Sequence, residues 1–314
     1  MPSPADLLTT DVDEAVEALA SGGLVAIPTE TVYGLAAIAD RPDAVGRIFE
    51  VKGRPRDHPL IVHLAGVEHL DGWVADVPRP AAALAAACWP GPLTMLLPKG
   101  PRCGDWVTGG RDTVGIRIPA HELTLAVLGR LGTGVAAPSA NRFGKVSPTT
   151  AQHVLDDLGQ LLDPSRDRIL DGGACQVGVE STIVDLTVDP PQVLRAGAID
   201  ADTVARLLDT AVTGASGPSR AAGMLASHYA PDCHVLLAES AADLDRMVAS
   251  ARATGARVVA LDRTDDLVVA ARRLYDDLRA ADRAGTEVLV VRMPPASGLG
   301  HALRDRLTKA AARR

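Results

Sequence analysis

Aromatic residues are scarce in this 314-residue chain: three Trp, three Tyr and two Phe make up 3% of it, whereas hydrophobic residues together make up 47%. The cores must therefore be built from Ala, Val, Leu and Ile, and recognition of single-stranded nucleic acid by stacked bases is disfavoured. The high hydrophobic content excludes intrinsic disorder. The net charge of −7 supplies no global basic field, so any contact with nucleic acid has to be local.

Lysine, paired cysteines and long apolar runs are also missing. Only four of the 32 basic residues are Lys, so a Lys in a chemically suggestive position merits attention. The four Cys form no Cys-x-x-Cys pair, which argues against a zinc site or a disulfide framework. No apolar run approaches membrane-spanning length, and the N-terminus is acidic where a signal peptide is basic. We therefore expect a cytoplasmic protein with no membrane segment and no metal-ligand residues of its own.

The spacing of apolar residues predicts a mixed α/β (α+β) fold in two domains. Residues 1–212 combine short strands and amphipathic helices without strict alternation, whereas residues 232–314 alternate regularly, as a small parallel α/β domain does. Residues 213–231 begin with small, polar, turn-forming residues and are predicted to be a linker. In the first domain, a helix is predicted to start at Pro42 and to carry its apolar stripe as far as Lys52.

Several charged or polar residues stand where the fold has to satisfy them with a ligand or a distant partner. The segment from Lys52 to His58 is either a solvated turn at a helix C-terminus or an anion site. His63 lies on an apolar strand, where a lone His is more often a core residue than a ligand. Arg117 also lies on an apolar strand with no carboxylate beside it, so either an anionic ligand or a distant Asp or Glu must neutralise it.

Hydroxyl and amide side chains follow other apolar segments. Ser147 and Pro148 have the pattern of a helix N-cap followed by a proline in the first turn, and such a helix end also suits phosphate. No Walker A sequence, kinase-type glycine loop or Ser-His-Asp signature accompanies them. The residues alone indicate an anion-binding pocket, at most a nucleotide pocket, without a nucleophile. Its candidate members are Lys52, Arg54, Arg117, Arg195, Ser139, Asn141, Ser147 and Ser181.

Seven ordered motifs within residues 28–195 resemble the L-threonylcarbamoyladenylate synthase family, with its YrdC-like catalytic domain. The motifs are Pro28–Leu35, Lys52–Pro55 with Pro59–His63, Trp89–Thr94, Val114–Pro119, Ala137–Asn141, Gly178–Ile183 and Leu194–Arg195. The resemblance continues through Gly223–Pro231 into the C-terminal domain. It implies a twisted sheet with a concave, positively charged cavity, followed by a small Rossmann-like domain. The family usually has Tyr and Arg where this chain has Ala226 and Ser227.

The resemblance also implies an activity and a set of site residues. L-threonine, bicarbonate and ATP, with Mg²⁺ accompanying ATP, would give threonylcarbamoyl-AMP and pyrophosphate. A downstream threonylcarbamoyl-transferase complex would then use the product to modify adenosine 37 of tRNAs that read ANN codons. Lys52 and Arg54 would be catalytic, and threonine would be bound by Thr31, His63, Arg117, Ala137 and Ser181. ATP would be bound by Arg54, His58, Thr113, Ser139, Asn141, Ser147, Arg195 and His228, and Lys52 and Asn141 would line the same cavity.

Two alternatives stay open. The first is a non-catalytic RNA-binding module whose basic concavity makes a weak contact with tRNA. The second is a related carbamoyl or nucleotidyl transferase, as in hydrogenase-maturation proteins, although the zinc-finger Cys pairs of those proteins are absent here. A further hypothesis is that the linker closes over the cavity, with His228 or Tyr229 nearest to it.

Overall fold

The computed structural model describes residues 4–217, 220, 221, 223 and 229–312. Its strands are β1 (Leu8–Thr9), β2 (Val25–Ile27), β3 (Gly34–Ile38), β4 (Ile61–His63), β5 (Leu93–Pro98), β6 (Thr113–Arg117), β7 (Val135–Ala136), β8 (Arg168–Leu170), β9 (Thr182–Asp185), β10 (Gln192–Arg195), β11 (Thr213–Gly214), β12 (His234–Ala238), β13 (Val258–Leu261) and β14 (Val288–Arg292). Its α-helices are α1 (Val12–Ala20), α2 (Pro42–Lys52), α3 (Arg79–Cys88), α4 (Asp105–Thr108), α5 (Glu122–Leu131), α6 (Ala151–Leu158), α7 (Ala201–Leu208), α8 (Ala241–Ala253), α9 (Leu267–Arg283) and α10 (Leu299–Ala311).

Within the described residues, β1 to β11 form one mixed sheet in the order β1-β8-β2-β3-β7-β4-β6-β5-β9-β10-β11. Near its middle, β4 pairs in parallel with β6, which sets His63 opposite Arg117. Residues opposite each other on neighbouring strands lie on the same face of a sheet. The pairing therefore brings the two polar strand residues of the sequence together. The outermost strand, β11, lies in the segment predicted to be a linker.

The predicted helix at Pro42 is confirmed, and its end has a clear local cause. Helix α2 runs from Pro42 to Lys52, and Gly53 follows it with φ of 62°, a left-handed conformation that suits glycine. Val45 and Ile48 of its apolar stripe are fully buried. The stripe fixes the rotation of the helix, and the glycine turns the chain at once into the basic loop.

The second domain has the predicted regular alternation. Strands β12, β14 and β13 form a parallel sheet in that order, and α8 and α9 connect its strands along the chain. The mixed α/β class and the small parallel domain are therefore confirmed. Among the residues that the structure describes, no helix is long and apolar enough to cross a membrane.

Two local expectations differ from the structure. The prediction that Ser147 caps a helix is wrong, because α6 begins at Ala151 and the hydroxyl of Thr150 accepts the cap hydrogen bond from the His153 amide. A phosphate site at a helix N-terminus beside Ser147 is excluded with it. Strand β3 was not predicted, because its sequence Gly-Leu-Ala-Ala-Ile contains small residues of low strand propensity.

The two domains share a core at one edge of the first. Val179 packs with Leu274 of α9 and Leu303 of α10 in one apolar cluster. Gly178 has φ of 81°, and a Cβ there would lie 2.4 Å from the carbonyl oxygen of Ala271. The backbones meet so closely that only glycine fits. The motif at Gly178–Ile183 is therefore held from outside by the second domain.

Candidate active site

A candidate site lies over the middle strands of the large sheet, in a cavity of about 620 Å³ measured to its open mouth. The walls come from the turn after β2, the loop after α2, and the ends of β4, β6, β7 and β10. The lining residues are Thr29, Val32, Gly34, Arg54, Pro59, Leu60, Ile61, His63, Arg117, Ala137, Pro138, Ser139, Glu180, Ser181, Arg195, Gly223 and Tyr229.

The cavity brings together seven residues that the sequence singled out: Arg54, His63, Arg117, Ala137, Ser139, Ser181 and Arg195. Three of the seven are arginines, so the walls carry concentrated positive charge although the whole chain is acidic. Guanidinium groups bind carboxylate and phosphate through paired hydrogen bonds. The arrangement is therefore suited to an anion.

Arg117 has a distant carboxylate partner. Its Nη2 lies 2.8 Å from Oε1 of Glu30, and both side chains are buried. The other oxygen of Glu30 accepts a hydrogen bond of 3.1 Å from the Ala120 amide. Sequence reasoning missed Glu30, although it lies in the Pro28–Leu35 motif and Arg117 required an acid from elsewhere. The ion pair places the guanidinium in the cavity wall.

His63 is a neutral imidazole beside this pair. Burial, reinforced by the charge of Arg117, lowers its pKa to about 3. Its Nδ1 lies 3.2 Å from the carbonyl oxygen of Ile61, which can only accept a hydrogen bond. Nδ1 therefore carries the proton, and Nε2 is left as an acceptor for a hydroxyl or amine.

Thr31 supports the wall from behind. It is fully buried and does not line the cavity, whereas Thr29 does. The Thr29 hydroxyl donates to the carbonyl of Val32 (2.6 Å), so the 2.9 Å contact between the two threonine hydroxyls is donated by Thr31. This series of hydrogen bonds fixes the turn between β2 and β3. Sequence reasoning named Thr31 and missed Thr29.

Ser181 and Arg195 form a single unit at the ends of β9 and β10. Nη2 of Arg195 donates to the hydroxyl of Ser181 (2.9 Å), and its Nε donates to the carbonyl of the same residue (2.9 Å). The Ser181 hydroxyl also lies 2.7 Å from that of Thr94. Burial lowers the pKa of Arg195, yet these acceptors hold its guanidinium in a fixed position.

Lys52 and Asn141 lie outside the cavity lining, behind the loop that carries Ser139. The Lys52 ammonium donates to the carbonyl of Ser139 (2.5 Å) and to that of Asn141. Burial lowers the pKa of Lys52 well below its usual value. Asn141 donates to the carbonyls of Arg142 and Lys145, both at 2.8 Å. In this structure both side chains shape the loop, and their assigned roles toward substrate stay predictions.

Arg54 reaches the cavity from the loop after α2. Its Nη2 donates to the carbonyl of Pro59 (3.1 Å), and its guanidinium carbon lies 5.6 Å from the ring centre of Phe143. Its Nε is buried without a hydrogen-bond partner among the described residues, so this donor is available to a ligand that enters the cavity. His58 is half-buried on the same loop, 5.3 Å edge-on from Phe143, and does not line the cavity.

The remaining predicted residues lie elsewhere. Thr113 lines a smaller neighbouring cavity of about 270 Å³ that shares Pro59, Leu60 and Ile61 with the first. Ser147 donates its hydroxyl proton to Glu180 Oε1 (2.6 Å), so it has no proton left for a phosphate. His228, Ala226 and Ser227 lie outside the described residues.

Two residues of the predicted linker, Gly223 and Tyr229, line the cavity, which agrees with the hypothesis that this segment closes over it. Tyr229 is 1% exposed and has φ of 61°, a conformation that costs a non-glycine residue free energy. Its ring lies 5.7 Å from that of Tyr275 in α9. The strained backbone is therefore held by packing against the second domain.

The part of the cavity wall that the structure describes offers no set of free metal ligands. Among the described residues, no group of three or more His, Cys, Asp or Glu side chains is arranged to hold a metal ion. Its two nearby carboxylates are engaged, Glu30 with Arg117 and Glu180 with Arg306.

Comparison with known proteins identifies the family. Residues 17–197 match the family model described as "Telomere recombination", and residues 194–312 match "Threonylcarbamoyl-AMP synthase, C-terminal domain". The threonylcarbamoyl-AMP synthase of Pyrococcus abyssi is 40% identical over 92% of this chain and 90% of its own length. That of Bacillus subtilis is 36% identical over 98% and 95%. The crystal structure of P. abyssi Sua5 complexed with L-threonine is similar with a TM-score of 0.90, at 38% identity over 96% of this chain and 94% of that one. The chain belongs to the threonylcarbamoyl-AMP synthase family.

Proposed function

We propose that this protein is a nucleotidyltransferase that makes threonylcarbamoyl-AMP and pyrophosphate from L-threonine, bicarbonate and ATP. The observation that carries the proposal is the cavity itself. It combines three arginines with neutral hydrogen-bonding groups, and the lining residues that the structure describes include no nucleophilic side chain positioned beside a general base. Such a site suits a reaction in which a substrate supplies the nucleophile.

Threonine is proposed to occupy the end of the cavity at β4 and β6. Arg117, kept in place by Glu30, pairs with the carboxylate of the amino acid. Nε2 of His63 accepts a hydrogen bond from the hydroxyl or the amine, because its neutral ring offers a lone pair there. The backbone at Ala137 and the hydroxyl of Ser181 complete the proposed threonine site.

ATP is proposed to occupy the other end, between the Arg54 loop and the Ser181–Arg195 unit. Arg54 has a free Nε donor, and Arg195 is held by Ser181, so both present fixed positive charge to a triphosphate. Ser139 adds a neutral hydrogen bond at the cavity wall. Mg²⁺ is proposed to enter bound to the ATP phosphates.

The chemistry needs two bond-forming steps. The threonine amine attacks bicarbonate and, with loss of water, gives a carbamate. A carbamate oxygen then attacks the α-phosphorus of ATP, the bond to the bridging oxygen breaks, and pyrophosphate leaves. The protein aligns the reactants and stabilises the charge on the leaving group through Arg54 and Arg195, as in other phosphoryl transfers.

The product is proposed to pass, in the cytoplasm, to a threonylcarbamoyl-transferase complex that acts on tRNA. The direct test follows pyrophosphate release by the purified protein with ATP, Mg²⁺, threonine and bicarbonate, omitting one component at a time. Release that needs all of them supports the proposal. Salt-sensitive binding of tRNA without pyrophosphate release would favour the RNA-binding alternative.

A further inference from the structure

The wall of the proposed substrate cavity contains a carboxylate of its own. Glu180 lines the cavity and is 5% exposed. Its Oε1 accepts from Ser147, and its Oε2 accepts from Tyr275 at 2.7 Å and from Nε of Arg306 at 2.7 Å. Burial raises the pKa of Glu180, but the charges of Arg306 and Arg195 outweigh it and lower the pKa to about 2. The carboxylate is therefore ionised and, if unpaired, would repel a polyphosphate.

The cation that pairs with Glu180 belongs to the second domain. Arg306 lies on α10, and its side chain is 0% exposed. Its Nη2 donates to the carbonyl of Ala196 (3.0 Å), and its guanidinium carbon lies 5.1 Å from the ring centre of Tyr229. Glu180 and Tyr229 both line the cavity. One arginine of α10 thus contacts two residues of the cavity wall without entering the cavity itself.

The ion pairs around Arg306 indicate that it serves as the partner of Glu180. The other acidic partner of Arg306 is its neighbour Asp305, at 2.5 Å. Asp305 has a second cation of its own in Lys309, at 2.8 Å and one helical turn away. Among these four directly paired groups, two acids and two bases therefore balance. Removal of Arg306 takes away the cation that is paired with Glu180 and leaves the charge of Arg195 to act on this carboxylate at the cavity wall.

We propose that Arg306 is a positioning residue: by pairing with Glu180 it cancels the charge of the carboxylate and allows the cavity to accept a polyphosphate. The second domain then completes the nucleotide site of the first. This inference rests on the proposed function, since it requires ATP to bind in this cavity. Arg306 acts through Glu180 and Tyr229 and does not touch the substrate.

The test measures binding of Mg²⁺-ATP and of adenosine to the full chain by calorimetry. Arg306→Met is expected to weaken ATP binding by about tenfold, because a like charge then faces the triphosphate. Adenosine carries no charge, so its affinity is expected to change less than twofold. The double variant Arg306→Met/Glu180→Gln removes both charges and is expected to return ATP affinity to within about threefold of the parent.

Arg263→Met is the matched control. Arg263 forms a paired hydrogen bond with Asp277 inside the second domain, with Nη2 at 2.8 Å from Oδ1, and does not line the cavity. This variant is expected to bind ATP and adenosine with the same affinities as the parent. If Arg306→Met does not fold, Glu180→Gln is compared with the double variant. Glu180→Gln keeps the positive charge of Arg306 and is expected to bind ATP several-fold more tightly than the double variant, which lacks that charge.

The outcomes separate the two proposals. Equal losses for ATP and adenosine, or an Arg306→Met variant that binds ATP like the parent, would overturn the role of Arg306 and leave the synthase proposal standing. Equal ATP affinity of Glu180→Gln and the double variant would overturn it as well. If the parent protein binds no ATP, the proposed nucleotide site fails, and this inference fails with it.

Discussion

Arg54 provides the sharpest mutational test of the cavity. The structure gives its guanidinium one acceptor in the protein, the carbonyl of Pro59 at 3.1 Å, and leaves Nε without a partner among the described residues. Burial lowers the pKa of Arg54 to about 10, which still keeps it cationic at neutral pH. Its charge is therefore directed at a ligand more than at the fold. We expect Arg54→Ala to affect the rate far more than the stability.

The magnitudes follow from these contacts. Losing one electrostatic donor to the transition state costs about 2–4 kcal/mol, or about 30- to 900-fold in rate. Losing the hydrogen bond to Pro59 costs about 1 kcal/mol of unfolding free energy. Arg54→Lys keeps the charge without the planar fork and is expected to recover part of the rate.

The assay compares the initial rate of pyrophosphate release with the urea midpoint of the same samples. Arg56→Ala is the matched control, because Arg56 lies two residues away and is exposed. Among the described residues it forms an ion pair only with the exposed Glu50, at 3.0 Å. It is expected to leave both quantities unchanged. An unchanged rate in Arg54→Ala would remove Arg54 from the mechanism.

Two further predictions concern stability. Gly178→Ala is expected to destabilise the protein by about 2 kcal/mol or more, because φ at this position is 81° and the added Cβ meets the backbone of α9. Gly129→Ala, inside α5 with open space around it, is expected to stabilise the protein by about 0.5–1 kcal/mol. Urea unfolding measures both changes, and similar midpoints for the two variants would contradict the contact between the domains. His63 has a folded pKa of about 3, below its unfolded value, so the unfolded chain binds the extra proton and stability falls as the pH drops from about 6.5 toward 3. Protonation of His63 contributes up to about 1.4 kcal/mol per pH unit to this loss of stability, and the contribution is expected to be absent from His63→Gln. Identical profiles of unfolding free energy against pH for the parent and the variant would contradict it.

The elements with strong local signals could be predicted from the sequence. Helix α2 has an apolar stripe and a terminal glycine, and the second domain alternates strands and helices of ordinary length, so both followed from periodicity. Such signals are missing from strand β8, which has three residues, and from strand β3, which consists mostly of small residues. Pairing with neighbouring strands of the sheet defines both of them.

In the candidate site, too, single residues could be recognised from the sequence, whereas their partners could not. Arg117 could be recognised as a residue in need of an anion. Its partner Glu30 lies in the turn between β2 and β3, and the strand order β3-β7-β4-β6, not local spacing, brings the two together. The contact between Arg306 and Glu180 joins residues 126 positions apart in different domains. Ser147 was misplaced for a related reason, because a distant carboxylate takes its hydroxyl and Thr150 caps the helix.

The central claim is that this cavity joins threonine, bicarbonate and ATP. The most direct measurement incubates the purified protein with ATP, Mg²⁺, threonine and ¹³C-labelled bicarbonate, quenches quickly, and analyses the products by mass spectrometry. The account predicts threonylcarbamoyl-AMP that is one mass unit heavier than the unlabelled compound, together with pyrophosphate, and neither in the absence of bicarbonate. Bound ATP and threonine with no labelled adenylate formed would contradict it.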